Sequence, residues 1–209
     1  LYAHRRVLER SGVLLVGPSR AFLTYIERVL PALGETGVVS TTMSTLLPDV
    51  VATAAEEPSV ARVKGRASMA GVVARAVAAR QRVPAETVTV RVGSHDLEIR
   101  PDDVAAARGR ARRAHQPHNA ARVVFVRQML STLARQYAAQ LGSEVSGEDL
   151  AGITEDIRVE RDVRVALNLA WMPLTPEGLI RDLWARPERL AEAAPGMSRT
   201  DRALLRRDR

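Results

Sequence analysis

The chain has 209 residues and a mass of 22.8 kDa, with 46% hydrophobic and 26% charged residues, which suits one large or two small folded domains and excludes a disordered chain. Aromatic residues make up only 3%, too few for a stacking platform that grips single strands, and the lack of cysteine excludes disulfides, thiolate nucleophiles and cysteine-ligated zinc together. No run approaches the ~18 apolar residues of a membrane span, and Leu1–Arg10 is polar and basic with no apolar stretch behind it, so neither a span nor a secretory signal is expected.

Leu1–Arg10 reads as the end of a helix, broken by Ser11-Gly12. Val13–Val16 is a short apolar run followed by Gly17-Pro18, the pattern of a buried parallel strand. Ser19 is placed to cap a helix whose apolar positions Phe22, Leu23, Ile26, Val29, Leu30 and Leu33 recur at helical spacing. A second buried strand is expected at Val38–Thr42. Strand, helix and strand in this order make half of an open α/β layer, too small to stand alone.

The character changes after Leu47-Pro48. Val60, Val63, Ala67, Ala70, Val73 and Val77 predict one helix that ends before Pro84. Thr87–Val92 alternates, Gly93-Ser94 supplies a tight turn, and Leu97 and Ile99 alternate on the return, which together predict a β-hairpin. Asp102 would cap a helix running to Arg113, and a longer helix after His118 would bury Val123, Val126, Leu130, Leu133, Tyr137 and Leu141. Residues 142–162 read as an acidic loop in which Ser146 and Asp149 fit a capping box. Thr175-Pro176 starts a helix with Leu179, Ile180, Leu183 and Trp184 on its apolar face, and Ser198 with Asp201 repeats the capping pattern before a last short helix. The fold class is therefore an α/β fragment followed by a mostly helical insertion with one hairpin. The chain begins at Leu1 rather than Met and ends in Arg206-Arg207-Asp208-Arg209, and it reads as a piece of something larger.

The net charge of +7 is unevenly spread. Residues 59–82 carry six cations and no acid, and residues 104–141 carry seven arginines and no acid, among them Arg108, Arg110, Arg112, Arg113 and Arg122. Residues 142–162 reverse the sign, with seven acids against Arg158 and Arg161. Such blocks suit a polyanion or a partner with alternating patches; solvated helix faces are the other reading.

Known catalytic motifs are missing. The single lysine, Lys64, precedes Gly65 and has no phosphate-binding glycine loop before it, and neither a Gly-x-Ser-x-Gly elbow nor a His-Glu-x-x-His motif occurs. His115 and His118 flank a proline far from His4 and His95, so they read as exposed loop residues and no metal site is expected. The acids of residues 142–162 would either hold a magnesium ion or solvate a loop. No catalytic residue is assigned.

Several segments together carry a resemblance. Val13–Arg20 with Phe22-Leu23-x-Tyr25-Ile26-x-x-Val29-Leu30-Pro31-x-Leu33-Gly34-Glu35 resembles the strand and helix after the nucleotide loop of superfamily I helicases. The wording is most similar to the HelD-like branch, the RNA-polymerase-associated ATPases related to UvrD and Rep helicases. Leu1-Tyr2-x-His4-Arg5 resembles the end of the Walker A helix, and Val38–Leu47 sits where the next helicase motif would be. His118-Asn119-x-x-Arg122, Trp171-x-Pro173-Leu174-Thr175-Pro176 and Arg202–Arg207 resemble further segments of that branch.

The resemblance implies a cytoplasmic fragment lying between Walker A and Walker B. Residues 1–48 would be part of a first RecA-like domain, 49–197 a family-specific helical insertion, and 198–209 the return toward the Walker B strand. The parent protein would use ATP and magnesium to release RNA polymerase from nucleic acid or an inhibitor, while this piece would hold no cofactor of its own. The implied partner is core RNA polymerase, entered by the acidic segment through Glu144, Glu148, Asp149, Glu155 and Asp156. DNA is the second implied partner. Pro18, Ser19, Arg20, Thr41 and Thr42 match positions where translocating relatives touch single strands, although Gly-Pro-Ser stands where those helicases carry Thr-Phe-Thr. The alternative is an accessory domain of a DNA-translocating helicase, with the arginine blocks on phosphates.

Overall fold

The computed structural model describes residues 12–33, 38–47, 50–51, 54–142 and 146–207, so the helix end expected at Leu1–Arg10 and the acid Glu144 lie outside the described residues. The architecture is mixed: a small parallel β element, then a mostly helical region with an antiparallel hairpin. It divides into two compact units, residues 1–57 and 58–209.

In the first unit, β1 (Val13–Gly17), α1 (Arg20–Val29) and β2 (Val38–Thr42) form the expected strand–helix–strand, with the strands parallel in a register running from Val13↔Val38 to Gly17↔Thr42. Ser19 caps α1, its hydroxyl accepting from the Phe22 amide at 3.2 Å. A Cβ at Gly17 would lie 2.5 Å from Leu23 Cδ2, so glycine lets the buried Leu23 side chain of α1 sit directly on β1 and any larger residue would displace it. The strands are not buried on both faces as expected. Leu14 is 56% and Val39 64% exposed, because α1 covers one face of the pair and no described element of this unit covers the other.

The second unit contains α2 (Pro58–Lys64), α3 (Ser68–Ala78), β3 (Val88–Val92), β4 (His95–Ile99), α4 (Pro101–Arg113), α5 (His118–Leu141), α6 (Gly147–Val159), α7 (Arg161–Ala170), α8 (Pro176–Ala185), α9 (Pro187–Ala193) and α10 (Arg199–Leu205). The hairpin has its turn at Gly93-Ser94, where Gly93 takes a φ of +56°. Its inner face, Val90, Val92, Leu97 and Ile99, meets α4, α5, α6 and α7 around Phe125, Met129, Leu133 and Trp171 in a first core. The outer edge of β4 is closed by α5. Gln136 accepts from the Glu98 amide and donates to its carbonyl, both at 2.9 Å, and Gln140 donates to the Asp96 carbonyl at 2.9 Å. Side-chain amides here substitute for the missing neighbouring strand. A second core joins α2, α3, α8, α9 and α10 around Leu183, Trp184, Leu190 and Leu205. Residues 199–205 form α10, which packs against α2.

Four expectations are corrected. The single helix from Val60 to Val77 is two, because the chain breaks at Gly65–Ala67 and glycine is the weakest helix former there. Asp102 is not the cap of α4; Arg100 holds that position, Pro101 opens the helix, and Asp102 sits in the first turn where its charge suits the helix dipole. The buried face of α5 runs through Ala121, Phe125, Met129, Leu130, Leu133 and Ala134, while Val123 and Leu141 are exposed. The acidic segment is not a loop: from Gly147 it is the helix α6, capped as expected by Ser146, which accepts from the Asp149 amide at 3.2 Å.

Candidate functional site

The two segments His118–Arg122 and Trp171–Pro176, distant in sequence, grip each other. Arg122 Nε donates to the Trp171 carbonyl at 2.8 Å and its Nη2 to Asn168 Oδ1 at 2.6 Å. Asn119 exchanges two hydrogen bonds with the backbone of Leu174, at 2.7 and 3.0 Å. His118 Nε2 lies 2.8 Å from the Met172 carbonyl, and its Nδ1 lies 3.2 Å from Gln81 Nε2. The geometry fits a neutral imidazole that donates from Nε2 and accepts at Nδ1. His118 is therefore a half-buried clamp with its ring against Trp171, not the exposed loop histidine expected.

The clasp extends to the segment after α3. Backbone bonds run from the Arg82 amide to the Ala170 carbonyl at 2.7 Å and from the Met172 amide to the Arg80 carbonyl at 3.2 Å. Arg112 Nε donates to Gln81 Oε1 at 2.6 Å and Arg108 Nη1 to the Gln81 carbonyl at 3.1 Å. These bonds tie the hairpin core to the helical core. They also engage three members of the basic patch, Arg108, Arg112 and Arg122, with protein oxygens. Burial lowers the pKa of the Arg122 guanidinium below its ordinary value, and burial followed by repulsion from Arg108 does the same for Arg112. Arg110 donates to Gln128 Oε1 at 3.0 Å, and Arg113 is exposed at the end of α4.

A second polar cluster was not foreseen in the sequence. Asp182 on α8 receives Arg80, Arg186 and Arg189 together. Burial alone would raise the Asp182 pKa, but hydrogen bonds and charge from Arg80 and Arg189 prevail and hold it below the usual carboxylate range. The only local signal was the spacing of Asp182 and Arg186, one helical turn apart.

The remaining site residues fall in two places. On α6, Glu148-Asp149 and Glu155-Asp156 recur after seven residues, about 10 Å along the helix, and all four are exposed. Asp149 accepts from the Ser146 hydroxyl at 2.6 Å and Glu155 pairs with Arg158, which draws its pKa down, whereas Glu148 and Asp156 have no such ties among the described residues. In the first unit the register pairs Val16 with Thr41 and Gly17 with Thr42, and Pro18, Ser19 and Arg20 follow directly after β1 at the carboxyl end of the strands. Thr42 Oγ1 lies 2.9 Å from both Ser44 Oγ and Thr45 Oγ1, and Thr41 Oγ1 lies 3.0 Å from Thr45 Oγ1, so Ser44 and Thr45 join a hydroxyl network that sequence reasoning missed.

Among the described residues no group of three or more His, Asp or Glu is placed to hold a metal ion, and no helix is long and apolar enough to cross a membrane. The sequence contains no glycine loop ending in Gly-Lys-Ser/Thr. Comparison with protein-family models finds none that matches the chain, and comparison with curated proteins finds no relative.

Proposed function

We propose that this chain is a non-catalytic interaction module of an ATP-driven RNA polymerase recycling factor, with α6 as the element that enters a basic, nucleic-acid-holding channel. The observation that carries the reading is the acidic face of α6, two acid pairs stacked two turns apart and turned to solvent. Such a stripe offers a channel's lysines and arginines a substitute for phosphates. The first unit, in this reading, is part of a RecA-like domain, which agrees with its parallel strand–helix–strand and with the open sheet face carrying Leu14, Val16 and Val39. The choice over a DNA-translocating helicase rests on the arginines. Arg108, Arg112 and Arg122 are engaged with backbone and amide oxygens, and phosphates would have to displace those bonds.

The test is binding of the chain to core RNA polymerase over a salt series, with single- and double-stranded DNA as parallel ligands. The variant Glu148→Gln with Asp156→Asn removes two exposed charges that make no hydrogen bond or ion pair among the described residues, so the fold is expected to stay intact. Polymerase binding that competes with DNA and weakens about tenfold in the variant is expected. Binding to bare DNA but not to polymerase would replace this reading with the helicase alternative.

A further inference from the structure

We infer that the Arg80–Arg186–Arg189 cluster is a binding site for a phosphoryl dianion. Three guanidiniums converge on one carboxylate, Asp182, so the cluster carries an excess of two positive charges. Arg80 is 8% exposed, yet its Nε has no hydrogen-bond partner among the described residues. A buried donor left unmade is costly, and more so on a cation, which makes the protein-only arrangement incomplete. Beside the cluster lies a cleft of about 500 Å³ lined by Arg80, Arg186 and Arg189, with Asp182 as its one acid.

Three further features select the ligand. The cleft is also lined by Thr175 and Gly178, the cap and first turn of α8, so a helix N-terminus adds its partial positive charge. Guanidinium forks match the oxygens of a phosphoryl group, where two parallel bonds are made at once. A dianion neutralises the excess of two charges, whereas a single carboxylate would leave one uncompensated. A second cleft, of about 250 Å³, shares Arg80 and Arg189 with the first and is also lined by Arg75, Arg82 and Glu192, so its mainly positive lining adds to the field at the site. The site lies on α8, α9 and the end of α3, apart from α6, and stands whether or not α6 meets polymerase.

The experiment is calorimetric titration of the whole chain with inorganic phosphate at constant ionic strength, with chloride as the reference. One saturable site is expected, tighter at pH 8 than at pH 6 because the second ionisation lies between. The double variant Arg186→Gln with Arg189→Gln alters two partly exposed side chains and is expected to weaken binding at least tenfold, while Arg127→Gln leaves it unchanged. Should the double variant fail to fold, by the fluorescence of Trp184, Arg189→Lys keeps the charge but loses the fork, and a threefold or greater weakening is expected. Parallel titrations with a nucleoside monophosphate and a short deoxythymidine oligomer separate the sources. Binding of either that depends on Arg189 tells whether the phosphoryl group arrives on a small molecule or on a strand. Heats no larger than those of chloride, or wild-type affinity in a folded variant, overturn the site.

Discussion

Replacing Arg122 by alanine tests how far the clasp between α5 and the end of α7 stabilises the hairpin core of the second unit. The substitution removes two charge-assisted hydrogen bonds, to the Trp171 carbonyl at 2.8 Å and to Asn168 Oδ1 at 2.6 Å. Each contributes about 1.5 kcal/mol, so their loss costs about 3 kcal/mol. Relief of a half-buried cation returns about 1 kcal/mol, leaving a net loss of about 2 kcal/mol. With a urea dependence of about 2 kcal/mol per molar, the unfolding midpoint falls by about 1 M. Trp171, buried against Phe125 and His118, reports the transition by fluorescence in a Trp184→Phe background, since the other tryptophan lies in the second core. Arg122→Lys keeps a cation but cannot reach both acceptors, and about half the effect is expected. A shift below about 0.3 M, or one matched by alanine at the exposed Arg127, would refute the reasoning, because exposed substitutions stay within about 0.5 kcal/mol.

Asp182→Asn leaves Arg80 buried without its counter-charge and is expected to cost about 3 kcal/mol, read as a lowered thermal midpoint at pH 7. Because the Asp182 pKa is depressed in the folded state, its contribution is complete above about pH 4, near the ordinary unfolded value, and is lost as the pH falls through the folded one. The variant should therefore show a smaller loss of stability below pH 4 than the parent; an identical decline would contradict the clamp. Gly93→Ala forces a Cβ into a φ of +56° where no atom lies within 4 Å, so only backbone strain of about 1 kcal/mol is expected. A loss much above 2 kcal/mol in chemical denaturation would mean that the turn is packed in a way the structure does not show.

Several local signals were legible where a few consecutive residues contain all the interacting atoms, although the cap expected at Asp102 falls instead on Arg100. The caps at Ser19, Ser146, Thr175 and Ser198 each bond the amide of the third residue on, and the Gly93-Ser94 turn needs only a positive φ. The parallel order of β1 and β2 followed from apolar runs separated by one helix. Choices among apolar faces were less legible, since α5 is apolar on more than one side. Phe125 and Met129 turned inward rather than Val123 and Leu141 because the hairpin, α4 and α7 meet α5 along that line.

The arginine blocks mark the limit most clearly. Along the chain Arg80, Arg108, Arg112 and Arg122 look alike, each a long cation in an acid-free stretch. Their roles depend on acceptors far away in sequence: Asp182 for Arg80, Gln81 for Arg108 and Arg112, and the Trp171 carbonyl for Arg122. Composition and periodicity were enough for most elements, for the caps at Ser19, Ser146, Thr175 and Ser198 and for the charge blocks, because those depend on neighbours within one or two turns. The cap at Asp102, the undivided helix across Gly65 and the acidic loop were misread. Which cations are tied to the protein's own oxygens, and which converge in excess on a single carboxylate, was set when packing brought α3, α5, α7 and α8 together, since hydrogen bonds of this kind form only at contact distance.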